Sequence, residues 1–197
     1  MKTIDYFYVP QSPWTYLGHQ RFWQMARKAG ANIRLKPMDL GRVFPVSGGL
    51  PLGQRAPQRQ AYRLVELKRF SQALNMPMNI QPKYFPVAGN PAAQLIIAAD
   101  LQHGSPAAMT LAGAVLRAVW AQERDIADAQ VLAQLLDECK LDPACLAHAS
   151  SNEVQQHYDD YTQQAIDLGV FGAPSYVIDG EIFWGQDRLD FVEKALA

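Results

Sequence analysis

Cysteine is scarce in this chain: only Cys139 and Cys145 occur among 197 residues. Their C-x5-C spacing matches neither the C-x-x-C of a dithiol redox centre nor a usual zinc pattern, so both read as small reduced hydrophobes. An excess of charge is also missing, since 18 Lys and Arg oppose 19 Asp and Glu. That balance gives no broad field to attract nucleic acid or an anionic membrane, and a small-molecule partner is expected instead. No window reaches the roughly 18 apolar residues of a membrane span. Met1-Lys2-Thr3 passes into a strand pattern without an apolar leader, so the expected location is the cytoplasm. The histidines are few. His19 lies about two helical turns beyond Ser12, and His103, His148 and His157 belong to the middle of the chain. A Ser-His-Asp hydrolase therefore finds no support, and no metal-ligand cluster is evident.

What is present suits one α/β domain carrying an insertion, with 49% hydrophobic residues to build its core. Ile4 to Val9 is β-branched and aromatic, reads as a strand, and stops at Pro10. Ser12 then precedes Pro13 as an N-cap precedes N1, and Trp14, Leu17, Phe22, Met25 and Ala29 recur at helical spacing up to Gly30. Residues 32–38 alternate as a second strand, giving a β-α-β unit with parallel strands. From Asp39 a Gly/Pro-rich loop is expected, and then an all-helical stretch over about 57–168. Helix starts are read at Asn90-Pro91, Ser105-Pro106, Asp128 and Asp142-Pro143. Residues 176–178 and 182–184, around Asp179-Gly180, predict a β-hairpin. Asp187 is expected to cap a last helix bearing Leu189, Val192 and Leu196.

Four features carry chemistry, each with a plain structural alternative. Ser12 is an N-cap in any case, yet its hydroxyl at a helix N-terminus could also stabilise an anion. Pro174 in Gly-Ala-Pro-Ser is either a turn residue before a strand or a cis peptide that aligns backbone groups with a bound peptide. Arg55, Arg59 and Arg63, four apart, form either a solvated basic face or a clamp for a carboxylate. Trp14, Tyr62, Tyr84, Phe85 and Trp120 are core residues or the walls of a cleft for a flat aromatic ligand.

With these elements in order, the chain resembles the 2-hydroxychromene-2-carboxylate isomerase family, within the group of kappa-class glutathione transferases and DsbA oxidoreductases. The matching segments are Ser12-Pro13-Trp14-Thr15-Tyr16-Leu17, Asp39-Leu40-Gly41-Arg42-Val43, Ala118-Val119-Trp120, Val170-Phe171-Gly172-Ala173-Pro174 and Phe183 through Leu189. The resemblance implies a thioredoxin-like fold, residues 1–40 plus 169–197, interrupted by a helical insertion over 41–168. Ser12 and Thr15 stand where redox relatives carry their cysteine pair, so dithiol oxidation is not expected and glutathione is the implied source of sulfur.

By the same resemblance Ser12 is the catalytic serine and Ala173 with Pro174 pairs with the glutathione peptide. Trp184, Gly185, Gln186 and Asp187 hold its γ-glutamyl end, and Tyr84 and Asn90 adjoin the substrate. Phe44 replaces a substrate-contacting lysine of the family. Its Asn-Arg pair has no clean match at Gly53-Gln54, although Arg55 follows directly. Arg42 is a further nominee for the substrate carboxylate. The implied activity is a glutathione-dependent cis-trans isomerisation, and a homodimer is implied as well. A kappa-like transferase or peroxidase, or a non-enzymatic peptide- or chaperone-binding module, are the alternatives.

Overall fold

The computed structural model describes residues 1–197. Strand β1 (Thr3–Tyr8), helix α1 (Pro13–Lys28) and strand β2 (Asn32–Pro37) form the expected β-α-β unit. Helices α2 (Leu40–Ser47), α3 (Pro57–Ala73), α4 (Asn90–His103), α5 (Ser105–Gln122), α6 (Ala129–Glu138), α7 (Ala144–Ala149) and α8 (Asn152–Asp167) follow. The chain closes with β3 (Ser175–Ile178), β4 (Glu181–Trp184) and α9 (Leu189–Leu196). The sheet order is β2-β1-β3-β4, with β1 parallel to β2 and antiparallel to β3. No helix is long and apolar enough to cross a membrane.

Because side chains alternate along a strand, β1 feeds two cores. Ile4, Tyr6 and Tyr8 enter the large one with Phe22, Trp120, Tyr176 and the apolar faces of α4 and α5. Phe7 and Val9 enter a smaller one with Met38, Val43, Ala165 and Val177. Both faces of β1 are therefore covered, which explains its nearly unbroken apolar sequence. Its one charged residue inside the strand, Asp5, is held by Arg34 at 2.5 Å and by the buried Lys36 at 3.0 Å, both on β2. The hairpin closes through Asp179 and Gly180, both at positive φ (51° and 85°), as a type I′ turn requires.

Four expectations need correction. The Gly/Pro-rich stretch after Asp39 begins with α2, because Asp39 caps Gly41 N–H at 2.7 Å and Val43 is buried. Pro45 sits inside that helix, where it removes one hydrogen bond. Residues 75–89 are not helical, being broken by Pro77, Pro82 and Pro86. Asn90 and Ser105 lie in the first turns of α4 and α5 rather than capping them, with Gly89 and Gly104 at the cap positions. Asp187 does not cap α9; it belongs to a 3-10 turn, Gln186–Arg188, and Arg188 flanks the helix. Asp128 caps α6 as expected, accepting from Gln130 N–H at 2.7 Å.

His19, on the buried face of α1, is 4% exposed. Met109 C=O lies 2.9 Å from its Nε2 and can only accept, so Nε2 carries the proton and Nδ1 accepts from Tyr6 O–H at 3.1 Å. Burial lowers its pKa to about 4. The unfolded chain takes up this proton as pH falls through about 6.5, whereas the folded chain does not until about pH 4. The contribution is thus full above about pH 6.5 and lost progressively down to about pH 4, for a total of about 3 kcal/mol. A ¹⁵N-detected titration should show a neutral imidazole at pH 5.5. A midpoint near the ordinary histidine value would contradict the buried pairing.

Candidate active site

The order of the sheet places the end of β1 beside the start of β3, with Phe7 opposite Ser175. The loop leading to Ser12 and the turn holding Ala173-Pro174 therefore lie at one end of the sheet. Ser12 is 7% exposed and extended at φ −75°, ψ 126°, and its Oγ accepts from Thr15 N–H at 3.2 Å. Tyr16 N–H bonds the Ser12 carbonyl at 3.0 Å, and Pro13 has no N–H to offer. Trp14 N–H is left as the first-turn amide without a partner in the chain. With its oxygen occupied by Thr15, the Ser12 hydroxyl still has a proton to donate. These two donors, at the positive end of α1, form an anion-binding corner.

A cavity of about 520 Å³ reaches this end of α1 through Trp14, whereas Ser12 and Pro174, two residues before Trp14 and one after Ala173, are not among its lining residues. One wall is Ala173 with residues 184–188, and the facing wall is α3 together with the turn that enters it. Trp14 of α1 packs edge to face on Phe70 of α3 at 6.0 Å, and both line the cavity. The Ala173–Pro174 peptide is cis. Pro174 C=O accepts from Gly185 N–H at 2.9 Å, while Ala173 contributes neither N–H nor C=O to the backbone hydrogen bonds of the fold. An extended peptide could use that free pair of groups as a strand edge. Gly172 permits the wall to form, because a Cβ there would stand 2.5 Å from the Trp184 indole nitrogen. Phe171 packs edge to face on Trp184, with ring centroids 4.8 Å apart.

Gln186 is 2% exposed and locked to α1. Arg21 donates to its backbone carbonyl at 3.1 Å and to its side-chain oxygen. The amide Nε2 of Gln186 is buried without a partner, a donor suited to a carboxylate. Asp187 is paired with Arg188 at 2.5 Å.

On the opposite wall, Arg55 precedes α3 while Arg59 and Arg63 lie on it, and all three line the cavity. Burial lowers the pKa of Arg63 to about 10, with the neighbouring Arg55 adding to the effect. Glu66, also on this wall, is bonded to Arg69 at 2.8 Å and so does not neutralise them. Tyr62 stands among the arginines, 57% exposed.

Several sequence candidates lie away from this cavity. Arg42 pairs with Asp159 of α8 at 2.6 Å. Phe44 packs against Gly49, with the Arg55 guanidinium 6.0 Å from its ring. Gly53 and Gln54 form an exposed 3-10 turn. Tyr84 has Lys83 over its ring at 4.9 Å, and Asn90 accepts from Tyr158 O–H at 3.1 Å. Phe85 and Trp120 pack on each other behind Arg63. Sequence reasoning missed Gln58, Glu66, Phe70 and Arg188 as cavity residues. The first three lie at four-residue steps from Tyr62, so extending that row along α3 would have found them. The two cysteines are free, and Cys145 donates to Gln102 Oε1 at 3.0 Å.

The fold is that of the thioredoxin-like proteins with a helical insertion, and the profile of the DSBA-like thioredoxin domain matches residues 3–197. The chain is 31% identical to 2-hydroxychromene-2-carboxylate isomerase of Pseudomonas putida over 98% of its length and 93% of that protein. It is 23% identical to glutathione S-transferase kappa 1 of Homo sapiens over 99% of this chain and 91% of that one. A solved structure of a 2-hydroxychromene-2-carboxylate isomerase superposes with a TM-score of 0.82 at 27% identity, covering 98% of this chain and 94% of the other. The chain therefore belongs to the DsbA-like thioredoxin family and, within it, to the 2-hydroxychromene-2-carboxylate isomerase family of enzymes.

The notch that seats Gln186 gives a direct test of this wall. A Cβ on Gly18 would lie 2.7 Å from Gln186 Cβ and 3.3 Å from Gln186 Cα, so the backbone of the turn would have to move. Gly18→Ala should lower unfolding stability by about 1–3 kcal/mol. An unchanged urea midpoint would show that residues 185–187 are not seated on α1 as described.

Proposed function

We propose that this enzyme isomerises 2-hydroxychromene-2-carboxylate or closely related aromatic acids, using glutathione catalytically. The observation that carries the reading is the pairing of a sulfur-anion corner at Ser12 with a free peptide edge at Ala173. Glutathione fits what these residues offer: a tripeptide backbone for Ala173, a carboxylate for the unpartnered amide of Gln186, and a thiol for Ser12. Asp187 is within the same wall to receive the α-amino group.

Bound glutathione supplies a thiolate that can add reversibly to a conjugated carbon of the substrate, so that a double bond becomes single, rotates and re-forms on elimination. The chain itself provides the conditions. A free thiol of pKa about 8.5 is mostly protonated at neutral pH, and donors aimed at the sulfur favour the anion. Ser12 O–H and Trp14 N–H are those donors, supported by the dipole of α1. Ser12 thus acts as a hydrogen-bond donor, not as a nucleophile. One cation of the arginine wall holds the carboxylate of the substrate, and Trp14 and Tyr62 present flat faces to its ring. Arg42, already engaged by Asp159, is not needed for this role.

Ser12→Ala should lower turnover about ten- to a thousandfold, corresponding to a loss of about 1.5–4 kcal/mol from the transition state. Unchanged turnover in that variant, with glutathione still required, would leave activation to the helix terminus alone. Stoichiometry separates the isomerase from a transferase or peroxidase. Glutathione should remain at its starting concentration after many turnovers of a chromene carboxylate, as followed by thiol titration and product absorbance. Consumption of one glutathione per product would replace the isomerase reading with a transferase. Calorimetry showing no binding at millimolar glutathione, but binding of extended peptides, would favour a peptide-binding module.

A further inference from the structure

We propose that Arg63 is the residue that receives the carboxylate of the substrate, and that it makes the cavity selective for flat conjugated acids over their neutral counterparts. This assignment rests on the isomerase reading for the identity of that acid and for the place of the sulfur at Ser12.

The three arginines of the wall are not equivalent. Arg59 is exposed, and Arg55 is committed to the carbonyl of Leu50 at 2.8 Å. Arg63 is half-buried, and its side chain takes part in no ion pair or hydrogen bond of the fold. Its guanidinium lies over the rings of Phe85 and Trp120, 5.2 and 5.8 Å from their centroids. Stacking fixes the plane of a guanidinium while leaving its N–H edge free for a bidentate carboxylate. The cavity-wall carboxylates do not fill that role, because Glu66 is bonded to Arg69 and Asp187 to Arg188. A partly desolvated cation without a counter-ion is costly, and an anion entering the cavity would offset that cost. Burial pushes this guanidinium down to about 10, so it is still cationic at neutral pH.

Its position selects the substrate acid over the carboxylates of glutathione. Trp120, which backs Arg63, is fully buried and donates its indole N–H to the carbonyl of Gln11 at 3.3 Å. Gln11 immediately precedes Ser12. Arg63 is therefore one indole ring away from the loop that carries the sulfur-anion corner, whereas the peptide edge and Gln186 are on the opposite wall. An acid whose conjugated carbon meets the sulfur would bring its carboxylate to this side.

The test measures binding by calorimetry in the absence of glutathione, with trans-cinnamate and methyl cinnamate as probes. Wild type should prefer the acid. Arg63→Gln should weaken the acid about ten- to a hundredfold while leaving the ester and glutathione unchanged. Arg63→Lys, which restores the charge without the fork, should recover part of the loss. Arg59→Gln should change cinnamate binding less than threefold, as judged from the same order of interaction at an exposed site. The assignment is overturned if wild type does not distinguish acid from ester, if Arg63→Gln binds cinnamate as wild type does, or if the loss falls on glutathione instead. Failure of the isomerase reading is visible separately, as a wild-type protein that binds cinnamate through Arg63 yet shows no glutathione-dependent turnover.

Discussion

Everything in this molecule that concerns chemistry depends on how β1 is paired. It runs parallel to β2 on one side and antiparallel to β3 on the other, and it is buried on both faces. A one-residue slip of β3 would turn Tyr176 out of the large core and Val177 into it. Tyr6 stacks on both Tyr8 and Tyr176, at 4.6 and 5.4 Å, so such a slip would also break the aromatic stack that fills the centre. The register is therefore strongly specified. Two segments more than 150 residues apart are brought to one end of the sheet as a consequence, and neither makes a site alone.

Counting donors explains how the dithiol scaffold serves an enzyme without a dithiol. Proline at the first helical position removes one N–H, and the Ser12 side chain and carbonyl take two more. One amide and one hydroxyl proton remain at the helix terminus, where an anion is favoured. Thr15 is fully buried, and its amide anchors Ser12. The same logic applies at Ala173, whose backbone groups are left free while Pro174 is tied down by Gly185.

The strands and the first helix were legible because their signals are local: alternation, a cap followed by proline, and an Asp-Gly turn. The cis-proline edge and the 184–187 segment came from resemblance, since no propensity distinguishes them from an ordinary turn. The errors have physical causes. Counting Gly and Pro hid α2, where a single capping aspartate and one buried valine outweigh Pro45. Asp187 looked like a cap because its side-chain type is right, but the preceding Gly185 at φ 105° starts a 3-10 turn instead. The solvated and the functional readings of Arg55, Arg59 and Arg63 could not be separated from spacing. Only the missing carboxylate partners and the rings behind Arg63, both long-range facts, distinguish them.

The two walls of the cavity are anchored very differently. The peptide-edge wall grows from β3 and β4 and is pinned to α1 through Arg21, Gln186 and Gly18. Changing it would disturb the central sheet. The arginine wall is borne by α3, a helix with one fully buried side chain, Leu67. Substitutions along its cavity face at Arg59, Tyr62 and Glu66 alter shape and charge with little loss of core packing. Phe44, outside the cavity with the Arg55 guanidinium 6.0 Å from its ring, belongs to neither wall.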